Sequence, residues 1–181
     1  MPDLTSFPNQ LDSKKNVCRA VIETPKSRRN KFDYDPKSGL FELGGVLPEG
    51  MIFPYDFGFI PSTLGDDGDP LDVLVLLDEP AHVGCLLEAR IIGVIEAEQT
   101  ENGKTEINNR LLGVSVHSHS HENITSIKEL TPSLLKELEE FFVSYNKLHG
   151  KKFKVTNLGG PKRALALIKQ GIQAFEDKQG S

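Results

Sequence analysis

The chain has 181 residues, 38% apolar and 26% charged, with a formal net charge of -5, which suits one domain large enough to bury a real core. That balance presents no basic face for nucleic acid, and an anionic substrate would need local help from metal ions or Lys/Arg. No run approaches membrane length and the N-terminus lacks the apolar core of a signal peptide, so a cytoplasmic protein with no membrane partner is expected.

Residues 1–16 are polar and mixed in charge and read as a loose, flexible arm, which leaves 17–181 as one domain. Val17 to Glu23 reads as a strand closed by Thr24-Pro25. Lys31 to Tyr34 and Leu40 to Leu43 read as two strands joined by the turn Asp35-Pro36-Lys37-Ser38-Gly39. Met51 to Ile60, rich in aromatics and Gly, fits either a short strand or an irregular wall. Val73 to Leu77 is an unbroken apolar run, as in a strand buried on both faces. Cys85 to Ala97 and Arg110 to Val116 add two more strands. Cys18 and Cys85 lie among apolar neighbours in no ligand spacing and are expected to be buried reduced thiols.

The period then changes. Thr131-Pro132 starts a helix, with Thr as N-cap and Pro at the first position. Leu134, Leu135, Leu138, Phe141, Phe142, Tyr145 and Leu148 recur at three and four residues, and Gly150 ends the helix. A second helix follows Gly160-Pro161 and carries Leu165, Ile168, Ile172 and Phe175. The expected class is mainly β with α (α+β): a small closed, OB-like β-barrel of six or so strands with two C-terminal helices packed outside.

The chemistry concentrates in Asp67-Gly68-Asp69-Pro70-Leu71-Asp72, at the mouth of the apolar strand. Asp67 and Asp69 share a face if extended, so three carboxylates would converge at a barrel rim. Each like-charged pair at about 4 Å repels by roughly 4 kcal/mol at an effective dielectric of about 20. Cations, or retained protons, relieve that cost. Hard oxygen donors at this density favour Mg2+, Mn2+ or Ca2+. The Gly position and distal Glu of an EF-hand loop are absent, and no Gly-Lys-Ser/Thr phosphate loop occurs. His117, His119 and His121 would share one face of an extended segment, a pattern open to Zn2+ but more typical of a polar loop.

The acidic run followed by Val73-Leu74-Val75 resembles the signature of soluble inorganic pyrophosphatases of the first family. The resemblance runs from about Val21 to Phe175. It includes Glu23-Thr24-Pro25, Lys31-Phe32-Asp33, the segment Phe53 to Pro61, and Phe141-Phe142-Val143-Ser144-Tyr145. It implies Mg2+-dependent hydrolysis of inorganic pyrophosphate to two phosphates by a metal-activated water, with Mn2+ as an alternative ion, in a homo-oligomer. It implies that Asp67 and Asp72 hold the activating metals, with Asp69 as the base that also contacts them. Glu23 and Asp33 would serve the metal that travels with the substrate. Lys31, Arg110 and Tyr145 would bind phosphate oxygens, Arg110 standing where the family has Lys.

Several positions depart from the family pattern. Counting back from Phe57, a phosphate-clamping Arg falls at Gly45. An active-site Tyr is Phe57, and the Lys after the helix Tyr is Asn146. The second of a further pair of Asp residues becomes Asn108, while Glu98, Glu101 and Glu106 all remain candidates for the first. Lys26, Arg28 and Arg29 could replace the missing cations or form a solvated turn. These departures keep open a different phosphate compound as substrate, or a non-catalytic phosphometabolite-binding module.

Overall fold

A computed structural model describes residues 3–180. The apolar run after the acidic cluster explains the architecture. Strand β5 (Leu71–Leu76) sends Val73 and Val75 into one core cluster and Leu74 and Leu76 into another. A strand alternates its side chains across the sheet, so both faces are dry and the sequence shows no polar alternation.

Around it lie β1 (Val17–Thr24), β2 (Asn30–Asp35), β3 (Leu40–Val46), β4 (Asp56–Ile60), β6 (Leu86–Glu101), β7 (Lys104–Ile107), β8 (Arg110–Ser115) and β9 (Lys152–Gly159). β1 pairs with β4, β4 with β5, β5 with β8, β8 with β6, and β6 again with β1. Those pairings close a five-stranded ring, the small barrel expected. The β5–β8 pair is parallel, with Val73 opposite Leu111. β7 and β9 flank the far end of β6, and β2–β3 is a separate hairpin. The nine strands among the described residues exceed the expected six or so because Lys104–Ile107 and Lys152–Gly159 carry mostly exposed polar residues.

Helix α1 (Pro132–Leu148) starts as expected, with the Thr131 hydroxyl accepting from Leu134 N at 3.3 Å. It buries Leu138, Phe142 and Asn146, four residues apart, over one side of the barrel. Helix α2 (Pro161–Gln179) buries Ala164, Ile168 and Gly171 over the other side. Among the described residues no helix is long and apolar enough to cross a membrane.

Much of the N-terminal arm lies against the barrel. Ser62 N donates to Thr5 O at 2.7 Å, and the Asn9 amide reaches Pro61 O at 3.2 Å. Leu4 N donates to the Tyr34 hydroxyl at 3.1 Å, which brings the arm to the edge of the cleft described below.

Ring closure depends on a glycine. A Cβ at Gly58 would stand 1.9 Å from the Val21 carbonyl oxygen, on the neighbouring strand. Gly58→Ala is therefore expected to lower stability by about 3 kcal/mol, the upper part of the range for overpacking. A shift in the urea midpoint with an unchanged slope is the measurement.

Candidate active site

One cavity of about 520 Å³ opens at the barrel rim. Glu23, Lys31, Asp33, Asp67, Asp69, Asp72, Arg110 and Tyr145 all line it. Every site residue expected from sequence is therefore brought to one place, from four strands, one loop and α1.

Local chemistry shapes the acidic loop. Gly68 takes φ +89°, a conformation a Cβ disfavours. Asp67 Oδ1 accepts from Asp69 N at 3.1 Å, an Asx turn. Buried Thr63 ties the loop to the start of β5, accepting from Leu71 N at 3.0 Å and donating to Ile60 O at 2.6 Å.

The three aspartates do not converge on one point as expected. Among the described residues no three His, Cys, Asp or Glu side chains gather where a metal ion could sit. Asp72 pairs with Arg110 at 2.5 Å, and Asp67 is held by the Asp69 amide. Two of the three carboxylates have thus taken a donor of their own. Among the described residues none donates to the Asp69 carboxylate, and Asp69 is exposed to the cleft.

Burial acts on these groups in one direction. Loss of water pushes the carboxyls of Asp67 and Asp72 above their ordinary range, and that of Glu23 up to about 7. Glu23 accepts from Tyr34 N at 2.8 Å, which only partly offsets the burial. The same loss of water lowers the pKa of Lys31, which also pairs with Asp33. It raises that of Tyr145 to about 12, so its phenol keeps its proton and can donate. A Cβ at Gly44 would fall 1.8 Å from Asp33 Oδ2, so glycine there clears the space that carboxylate occupies. A crowded, half-dry set of five carboxylates is the donor chemistry a hard divalent cation prefers, so the residues fit such an ion.

Arg110 is the most enclosed cation, 6% exposed. Its Nη1 also reaches Asn108 Oδ1 and donates to Asn109 O at 3.1 Å, while its Nε is buried with no partner among the described residues. The guanidinium lies 5.9 Å from the Phe57 ring centroid, 5.3 Å from Phe142 and 5.9 Å from Phe153. Phe57, a lost hydroxyl by sequence, thus serves as an apolar wall for that cation.

Two amides also line the cleft. The Asn108 amide donates to Gln99 Oε1 at 2.9 Å, and both line the cleft. Sequence reasoning missed Gln99 and weighed only its acidic neighbours. Of those, Glu101 and Glu106 line the cleft, and Glu98 faces an adjoining cavity instead. Asn146 is buried in α1 and donates to Phe142 O at 2.8 Å.

The basic turn 26–29 supplies no cleft cation among the described residues. Arg29 holds Leu47 O and Glu49, and Lys26 lies over Tyr55 at 5.3 Å. The histidine run is a clamped loop. Asp78 accepts from the Ser118 hydroxyl, His119 N and Ser120 N at 2.8, 2.7 and 3.0 Å, with His121 Nδ1 3.0 Å from Ser118 Oγ.

Gly45 sits opposite Lys31 in the β2–β3 hairpin, and a Cβ there meets nothing within 4 Å. Directly paired residues share a face, so Gly45→Arg would add a cation beside Lys31. The expected result is binding of inorganic phosphate about tenfold tighter, the equivalent of roughly 1.5 kcal/mol for one charge-assisted contact. Titration calorimetry checks it.

A closed barrel whose rim interleaves carboxylates with Lys31 and Arg110, two cations suited to phosphate oxygens, defines a phosphate-handling protein. Residues 20–176 match the family model for inorganic pyrophosphatase. The chain is 35% identical over 179 residues to an inorganic pyrophosphatase of Thermus thermophilus, covering 97% of this chain and 99% of that one. It is 33% identical over 163 residues to that of Geobacillus stearothermophilus, covering 90% and 96%. The crystal structure of the Thermus thermophilus inorganic pyrophosphatase superposes with a TM-score of 0.89 at 34% identity, covering 97% and 99%. The chain belongs to the inorganic pyrophosphatase family.

Proposed function

We propose that this chain hydrolyses inorganic pyrophosphate to two phosphates with a divalent metal ion, Mg2+ in the first place and Mn2+ as an alternative. The observation that carries the reading is the meeting of Asp67, Asp69 and Asp72 with Lys31, Arg110 and Tyr145 in one cleft of a family member. Asp67, Asp72, Asp69, Glu23 and Asp33 are the oxygen donors that would hold metal. When bound, the metal would neutralise phosphate charge and acidify the attacking water. Asp69, to whose carboxylate no described residue donates, would take the proton of that water. Lys31, Arg110 and the protonated Tyr145 bind phosphate oxygens and stabilise charge on the leaving group.

Phosphate release from pyrophosphate is expected with Mg2+ or Mn2+ and is expected to stop with a chelator. Release that ignores both would overturn the reading. It extends to a cytoplasmic homo-oligomer. Leu40, Leu43 and Val46 of the β2–β3 hairpin, each more than half exposed, offer apolar surface between copies, and sedimentation velocity tests that.

The neutral Gln99–Asn108 pair favours a second reading, in which another phosphate compound is the substrate or is only bound. Amides recognise uncharged polar groups and bring no negative charge to a metal ion. Calorimetry across phosphorylated ligands discriminates: pyrophosphate as both the tightest ligand and the fastest substrate excludes this second reading.

A further inference from the structure

The mouth of the cleft carries a cation that the motifs do not include. Lys151 follows α1 and Gly150, and its Nζ lies 3.2 Å from Glu101 at the end of β6. Register brings the two together. β9 pairs antiparallel with β6, with Lys152 opposite Thr100, so Lys151 arrives beside Glu101. Lys151 N donates to Asn146 O at 2.9 Å, which fixes the backbone beneath the side chain. Both residues line the same cleft as Asp69 and Arg110.

The cleft's cations differ in how tightly they are held. Arg110 is enclosed by Asp72, Asn108 and three rings. Lys31 is held by Asp33 and lies in the field of Glu23. Lys151 faces a carboxylate whose side chain is 48% exposed, at the base of a tight turn in which Asn102 and Gly103 take φ of 50° and 78°. Exposed ion pairs are weak and readily screened. A polyanion with several charged oxygens outcompetes one such carboxylate.

We propose that Lys151 is a substrate-binding residue for one phosphoryl group of pyrophosphate, and that Glu101 is a resident anion displaced when that group enters. The proposal rests on the pyrophosphate reading of the cleft. It also gives Asn146 a replacement. The helix position after Tyr145 spends its side chain on Phe142 O, and the cation is delivered five residues later.

The test uses the full chain with Mg2+, measuring binding of methylenediphosphonate, a non-hydrolysable pyrophosphate analogue, alongside pyrophosphate kinetics. Lys151→Gln is expected to weaken analogue binding about tenfold and to raise KM with kcat retained, as for binding energy shared by ground and transition states. Glu101→Gln is expected to tighten binding about threefold, the size of a lost exposed pair. The double variant should match Lys151→Gln, because Glu101 acts through Lys151. Unchanged binding in Lys151→Gln, or weaker binding in Glu101→Gln, overturns the proposal. Turnover by wild type with unaffected variants overturns Lys151 alone. Analogue binding that shifts as stated without any turnover overturns the hydrolase reading and keeps Lys151. Absence of analogue binding by wild type overturns both.

Discussion

Asp69→Asn is expected to lower metal-dependent phosphate release from pyrophosphate by about 100- to 10,000-fold, the usual contribution of a positioned general base. The substitution is nearly isosteric and leaves the Asp67–residue 69 amide contact in place, since that bond uses the backbone N–H. The loop is held by Gly65 N donating to residue 69 O at 2.7 Å, also through the backbone. The folded state should therefore be unchanged, with an equal denaturation midpoint. Rate loss at constant stability separates a proton acceptor from a scaffold residue. Retention of more than about a tenth of the wild-type rate would be below the range for general-base removal and would give the base role to another group.

Arg110→Met is expected to lower stability by about 3 kcal/mol, the low end for removing one partner of a buried pair. The low end applies because the Asp72 side chain keeps 26% of its surface exposed. Met fills much of the space between Phe57, Phe142 and Phe153, so cavity formation adds little. The freed Asp72 should then gain from a cation. Saturating Mg2+ is expected to raise the denaturation midpoint of the variant more than that of wild type. An equal rise in both would show that Arg110 and the metal do not compete for Asp72. Loss of the guanidinium should also reduce kcat/KM by about ten- to a hundredfold, as for one charge-assisted contact.

The parts of the site that sequence made legible are those where chemistry and period coincide. Asp67, Asp69 and Asp72 stand out because a buried strand follows them, and α1 because its cap and spacing agree. Gln99 did not stand out. It faces Asn108 only through the way β6 turns back into β7, with Gln99 opposite Glu106 and Asn108 one residue past Ile107. An amide among glutamates carries no signal of its own. Lys151 was hidden for a similar reason: its neighbour is set by the β6–β9 register, and β9 itself carries mostly exposed polar residues. The role of Phe57 depended on a cation arriving from another strand.

The parallel pairing of β5 with β8 has a consequence for how this chain can change. Asp72 and Arg110 meet because each immediately precedes a paired residue, Val73 and Leu111. A single inserted or deleted residue between 72 and 76 would turn every following side chain to the opposite face, exchanging the two core clusters and parting the ion pair. The β6–β7 turn carries no such constraint, since Glu101 to Thr105 are exposed. Length variation can thus be absorbed in the turn that bears Glu101, and the chain can retune what enters the cleft while the rim that performs the chemistry keeps its count.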